Sequence, residues 1–219
     1  MTGKILLVCK LKGGAGATTT CRELAAAAVG DGRTVALIDL DGQGGLTKWW
    51  NRRTKTIDGN NAVNPELLQL AADRIPAAVD GLRRRYDLVI VDSPPSIHDV
   101  IKSVATVADL ALIPARPTVD DLDAVGPIVR LLQGVVDFAF IQTQVPPGRR
   151  SRDGAEALER LAARAAVLGR TTFRADYSRP PAHGGTGFET GEAAREEISD
   201  LYGRLKERLG FTSPDSAIG

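Results

Sequence analysis

Sulfur is scarce in this chain. Of its 219 residues two are cysteine, Cys9 and Cys21. Their spacing is far from any CxxC pattern, which excludes a disulfide framework and a cysteine-built metal site. A surplus of either charge is also missing: 28 Lys+Arg stand against 27 Asp+Glu, a formal net charge of +1. That balance excludes a polybasic nucleic-acid coat or an acidic tail, so any nucleic-acid surface has to be a local patch. No apolar run approaches the roughly eighteen residues needed to span a bilayer. The first run, Ile5 to Cys9, has neither the length of a signal-peptide core nor a small-residue cleavage site after it, so the cytoplasm is the expected compartment. Internal repeats, low-complexity segments and domain linkers are absent. His98 and His183 are isolated from any nucleophile or metal-ligand partner and are assigned no chemistry.

What is present is the make-up of a soluble globular chain, 43% apolar and 25% charged, with length for one domain and a full core. Short runs rich in Val, Ile and Leu alternate with longer segments of helical period. Strands are expected near Lys4 to Cys9, Thr34 to Asp39, Leu88 to Asp92, Leu110 to Pro114, Phe138 to Thr143 and Val167 to Phe173. The runs lack in/out alternation, as fits a sheet covered on both faces. Cys21, Leu24, Ala25, Ala28 and Val29 fall on one helical stripe, which places Cys21 in the core. Ile198, Leu201, Tyr202, Leu205 and Leu209 form a closing helix. Ser96 with Asp99, and Thr118 with Asp121, have the spacing of capping boxes and predict helix starts. Arg83, Arg84 and Arg85 suit the end of a helix, Trp49 and Trp50 read as core or interface, and Pro180 to Gly187 reads as a long loop. The expected fold is a single-domain α/β P-loop (Rossmann-like) structure, three-layered with a mainly parallel sheet, over residues 1–210, followed by a flexible tail over 211–219.

The first strand runs into Lys10-Leu11-Lys12-Gly13-Gly14-Ala15-Gly16-Ala17-Thr18-Thr19, and a helix follows at once. A strand, a glycine-rich turn and a helix N-terminus together make an anion site, because free N–H groups and the helix dipole converge on one point. Glycine lets that backbone close around phosphate oxygens, and Thr18 would offer its hydroxyl to a phosphate-bound Mg²⁺. A Rossmann-type dinucleotide site is the rival reading of Gly14-Ala15-Gly16, but Thr19 stands where that motif needs its third glycine.

The segment Lys12, Gly13, Gly14, Gly16, Thr18, Thr19 resembles the loop K-G-G-x-G-K-[ST]-T of the ParA/MinD family of deviant Walker-A ATPases. Asp39-Leu40-Asp41-Gly42-Gln43 is similar to that family's D-x-D-x-Q segment, and Asp92-Ser93-Pro94-Pro95 to its Walker-B and switch segment. Ala108-Asp109 to Pro114, then Pro117 and Asp121-Leu122, resemble its next block. Together these span most of residues 1 to 130. The resemblance implies ATP/ADP and Mg²⁺ as cofactors. Gly13, Gly14, Ala15, Gly16, Ala17, Thr18, Thr19 and Pro117 would hold the nucleotide. Thr18, Asp92 and Asp39 would serve the metal, Asp41 would orient the attacking water, and Gln43 would sense the γ-phosphate. Lys12 would reach across a homodimer to the partner's phosphates. The chain departs from the pattern once: Ala17 stands where the family has its P-loop lysine. The loss of one charge-assisted contact, about 1.5–3 kcal/mol, implies weaker ATP binding and hydrolysis slowed about a hundredfold or more. Ala17 marks a degenerate or engineered form of an active ancestor.

The same resemblance implies a dimerisation switch that partitions plasmid or chromosomal DNA or another large cargo, associates with the nucleoid in its ATP state, and answers to a ParB-like or other stimulating protein. Non-specific DNA binding would draw on Lys/Arg contacts to phosphates, with Arg149, Arg150, Arg152, Arg174, Arg179, Lys206 and Arg208 as candidates. A MinD-like positioning ATPase is less favoured, since no basic amphipathic pattern follows the last helix. Iron–sulfur relatives need cluster-binding cysteines that are missing here. A non-hydrolysing nucleotide-binding module remains the other alternative.

Overall fold

The fold follows from how the Val/Ile/Leu runs bury both of their faces. In a computed structural model describing residues 2–9, 12–56, 64–95, 98–148 and 152–211, seven strands form one all-parallel sheet. In chain order they are β1 (Lys4–Val8), β2 (Val35–Asp39), β3 (Glu66–Leu68), β4 (Leu88–Asp92), β5 (Leu110–Ala115), β6 (Phe138–Val145) and β7 (Val167–Thr172). Their spatial order is β3-β2-β4-β1-β5-β6-β7. The helices between them are α1 (Ala17–Gly30), α2 (Gly45–Thr56), α3 (Ile75–Arg85), α4 (His98–Ala105), α5 (Val119–Leu132) and α6 (Arg152–Ala162), and α7 (Gly187–Thr190) and α8 (Glu192–Leu209) follow β7.

Successive side chains of a strand point to opposite faces, so β1 feeds two separate cores. Ile5, Leu7 and Cys9 join a cluster with Ile75 of α3, Ile101 of α4, Val125 of α5 and Leu161 of α6. Leu6 and Val8 join another with Cys21 and Leu24 of α1, Trp49 of α2 and Leu201 of α8. The sheet is thus the middle of three layers, as the uninterrupted apolar runs predict. Cys9 and Cys21 are both buried, and burial pushes the Cys9 thiol up, away from reactivity.

Thr118 caps α5, its hydroxyl accepting from the Asp121 N–H. Ser96 lies outside the described residues, as does the expected tail apart from Phe211, whose ring sits 4.6 Å from the Arg33 guanidinium carbon. Arg83, Arg84 and Arg85 occupy the last turn of α3. There Arg83 donates to the Gly3 and Val107 carbonyls and pairs with Asp109.

The structure adds to the sequence reading in two places. β3 is a three-residue strand on the sheet edge, too short to carry a periodic signal. Pro180 to Gly187, expected as a loop, holds a 3₁₀ turn over Pro180–His183 and the start of α7. Thr186 and Glu189 close a capping box at the start of α7, a T-x-x-E signature visible in the sequence. Trp49 anchors this segment: it is fully buried and donates from Nε1 to the Gly185 carbonyl at 3.0 Å. Trp49→Ala is expected to cost about 3–5 kcal/mol, whereas Trp49→Phe keeps most of the volume and loses the hydrogen bond, about 1 kcal/mol. Urea unfolding of the two variants checks the ordering.

Candidate functional site

Parallel register brings the carboxyl ends of the central strands to one edge. Val8 lies opposite Asp92 and Leu112, and Asp39 opposite Asp92. β1 sits between β4 and β5, whose connection passes over it. Ligands of open α/β sheets bind at such a switch point.

The loop leaving β1 curls at this point. Gly14 and Gly16 have φ of 85° and 90°, the left-handed region that any Cβ disfavours. Gly16 is the N-cap of α1, and no side chain caps the helix there. The first N–H groups of α1 therefore open into a hollow of about 250 Å³ lined by residues 14–19 with Lys12 and Gln144. Orphan donors at a helix N-terminus, concentrated by the helix dipole, favour an anion.

Two residues absent from the sequence expectations hold the loop in this shape. At the end of β6, Thr143 Oγ1 donates to the Ala15 carbonyl at 2.7 Å and Gln144 Nε2 to the Gly14 carbonyl at 2.6 Å. Gln144 itself has φ of 53°, turned to reach across. Their contacts span 128 and 130 residues, so no local pattern announces them.

Beside the hollow, Thr18 Oγ1 donates to Asp92 Oδ2 at 2.7 Å, with Asp92 fully buried. Asp39, at the end of β2, accepts from the Thr47 N–H and hydroxyl, both at 2.9 Å, and from the Asp41 N–H at 3.1 Å. Asp41 accepts from the Gln43 N–H at 3.0 Å. Asp39 thus ties the β2 loop to the start of α2. Among the described residues no group of three or more His, Cys, Asp or Glu is gathered for a metal. A hydroxyl next to one carboxylate fits Mg²⁺, which takes one or two protein oxygens and completes its shell with phosphate and water. Thr18 and Asp92 are the residues that would hold that ion, and Lewis-acid stabilisation of phosphate charge is the chemistry it would supply there.

Lys12 is half-exposed and pairs loosely with exposed Asp120 at 3.6 Å. Ala17 is buried in the same apolar cluster as Val8, Cys21 and Leu112. Pro117 is half-buried in the turn between β5 and α5. Preceding it, Arg116 forms a two-pronged pair with Asp121, Nε to Oδ2 and Nη2 to Oδ1, both at 2.9 Å, while its N–H also donates to Oδ2. Asp121 is fully buried. Burial works to raise its pKa, but the Arg116 guanidinium and N–H and the Thr118 hydroxyl hold the carboxyl below the ordinary range.

A second, larger cavity of about 430 Å³ adjoins the loop hollow through Gly16, Thr19 and Gln144. Phe173 lines it with 68% of its surface exposed. Its far wall is organised by Glu197 of α8, which accepts from the Thr172 N–H and hydroxyl, Arg174 and the Tyr177 hydroxyl. Glu23 of α1 also lines the cavity. It is fully buried and receives the Gly187 and Phe188 N–H groups at 3.0 and 2.8 Å, and burial pushes its carboxyl above the usual range. The size and mixed lining of the cavity suit a nucleoside beside the phosphate loop.

Three of the basic candidates are already paired with carboxylates. Arg149 and Arg150 lie outside the described residues, and Arg152 is the first residue of α6. Arg174 pairs with Glu197, Lys206 with Asp31 and Arg208 with Asp137, while Arg179 is exposed on the rim of the larger cavity.

Because the carboxyl of Asp121 is held below its unfolded value of about 3.9, its pairing stabilises the fold above that pH, and this contribution is lost as pH falls through the lower folded value. Asp121→Asn is expected to destabilise the chain by about 2–3 kcal/mol at neutral pH, discounted for the partial exposure of Arg116. The variant should also lose less stability than the native chain on acidification from about pH 7 to about pH 3, as read by urea midpoints.

A model of the VirC1 protein family matches residues 3–176. The chain is 30% identical over 218 residues to the maintenance of carboxysome distribution protein A of Gloeobacter kilaueensis, covering 94% of each. Its fold matches the ATP complex of a Cyanothece McdA variant, with a TM-score of 0.78, 19% identity, and 96% and 98% of the two chains covered. It also matches Aquifex aeolicus MinD in the MinC:MinD complex, with a TM-score of 0.76, 20% identity, and 97% and 98% covered. The family match and these likenesses agree: the chain belongs to the VirC1 family, among the ParA/MinD-type ATPases.

Proposed function

We propose that this chain is a nucleotide-driven dimerisation switch that positions DNA or another large cargo, binding ATP and Mg²⁺ at the loop over residues 12–19. The observation that carries the reading is the Thr18–Asp92 pair at 2.7 Å beside an uncapped helix N-terminus. A hydroxyl, a buried carboxylate and converging N–H groups are the parts that hold a metal-bound triphosphate. The adjoining cavity supplies room for the nucleoside.

In this reading the loop N–H groups, braced by Thr143 and Gln144, bind and orient the phosphates. Asp39 holds the β2 loop so that Asp41 lies where it can position water, and Lys12, tied only loosely to Asp120, is free to reach a second subunit. The Ala17 methyl supplies no charge to the phosphates. Binding is therefore weakened and turnover slowed, and the cycle stalls ahead of hydrolysis. Non-specific DNA contact falls to Arg149 and Arg150, to Arg152 at the start of α6, and to Arg179. Arg174, Lys206 and Arg208 already share their charges with carboxylates. An adaptor that stimulates hydrolysis completes the cycle.

Ala17→Lys is expected to tighten ATP binding about tenfold or more and to raise phosphate release about a hundredfold. Calorimetry and a multi-turnover phosphate assay measure both. DNA retention and oligomer mass with ADP, ATP and no nucleotide test the switch, for the native chain and the variant. Monomers that ignore both nucleotide and DNA in the two versions would sink the reading. Tight nucleotide retention with no phosphate release in either version would instead identify a non-hydrolysing binding module.

A further inference from the structure

We propose that Arg116 is a phosphate-binding residue of this site, supplying from the β5–α5 turn the cation that Ala17 does not. The inference rests on the functional reading above and deepens it.

Arg116 follows the last residue of β5, the strand next to β1, so its backbone lies at the same edge as the phosphate loop. Its side chain turns toward that loop: a Cβ built on Gly14 would stand 3.8 Å from Arg116 Nη1. Nε and Nη2 are the atoms engaged by Asp121. Among the described residues Nη1 makes no hydrogen bond, and it is the atom facing the loop. Guanidinium can bind two oxyanions at once on different edges, which an ammonium cannot do with the same geometry.

Rigidity separates Arg116 from the other cation nearby. Lys12 and its partner Asp120 have side chains 47% and 81% exposed and 3.6 Å apart, a contact that solvent weakens to little. Arg116 is gripped by a fully buried carboxylate and by its own N–H on the same oxygen. Both acidic partners come from the first turn of α5. That turn therefore holds one loose cation, suited to reach a partner, and one fixed cation, set against its own loop. A preorganised donor costs little ordering when phosphate arrives.

The test is a double-mutant cycle on the full chain. Arg116→Gln, which can still hydrogen-bond Asp121, is made in the native background and in Ala17→Lys, and the Kd values for ATP and AMP are measured by calorimetry. In the native background ATP affinity should fall about tenfold, as expected for one charge-assisted contact, and AMP affinity less than about twofold. With Lys at position 17 the ATP loss should shrink to less than about threefold, because the added ammonium serves the same phosphates. Equal losses for ATP and AMP, or the same ATP loss in both backgrounds, would reduce Arg116 to a structural anchor for Asp121 and overturn the proposal. Thermal melts confirm folding first. Should the Gln variant unfold, Arg116→Lys keeps the charge against Asp121 and should show the same selective but smaller loss of ATP, with the same equal-loss result overturning the proposal. A native chain that binds no adenine nucleotide would remove the functional reading itself, whereas tight ATP binding indifferent to residue 116 would remove this inference alone.

Discussion

The site depends on one constraint: β1 sits in the interior of an all-parallel sheet, so its chain must leave at the carboxyl edge and turn at once into a covering helix. No short reversal exists for a parallel strand. The turn from β1 into α1 uses left-handed backbone at two positions, and Gly14 and Gly16 supply it. The first turn of α1 is then left without a side-chain cap, at the place where β4, β5 and β6 also end. Asp92, Arg116 and Thr143 reach the loop because the register of the sheet puts their strand ends at one level. The candidate anion site is thus a consequence of sheet order as much as of the glycines.

Around that edge the protein uses buried and half-buried carboxylates as ties between elements. Asp39 joins β2 to α2, Asp121 joins the β5–α5 turn to α5, Glu23 joins α1 to α7, and Glu197 joins α8 to β7 and the turn after it. Each carboxylate is satisfied by several donors, as burial of charge requires. Removing one partner of such a tie costs more than the tie contributes, because an uncompensated group is left behind. Residues with no contact to a nucleotide can therefore shape the site that receives it.

The two cations near the loop show the same logic at different depths. Lys12 is held by an exposed acid and Arg116 by a buried one. In the proposed cycle the first is available to a second subunit while the second stays with its own loop. Ala17, set in the apolar cluster beneath α1, leaves the loop dependent on backbone donors and on whatever charge its neighbours bring.

Much of this was legible in the residues. Uninterrupted Val/Ile/Leu runs reported a sheet buried on both sides, the stripe from Cys21 to Val29 reported α1, and the glycines beside Thr18 reported a tight turn into that helix, because each of these signals lies within a few residues of chain. The T-x-x-E signature at Thr186 is equally local, whereas the three-residue β3 carried no period to read. The braces from Thr143 and Gln144, the buried acceptor Glu23, the Glu197 hub and the facing of Arg116 toward Gly14 were not legible at all. They depend on which strand ends lie side by side and on which helix covers which face. Sequence alone determined the local backbone preferences, including the glycines of the turn before α1. Only tertiary structure decided which distant side chains converge on it, since that convergence is set by strand order and register over separations of more than a hundred residues.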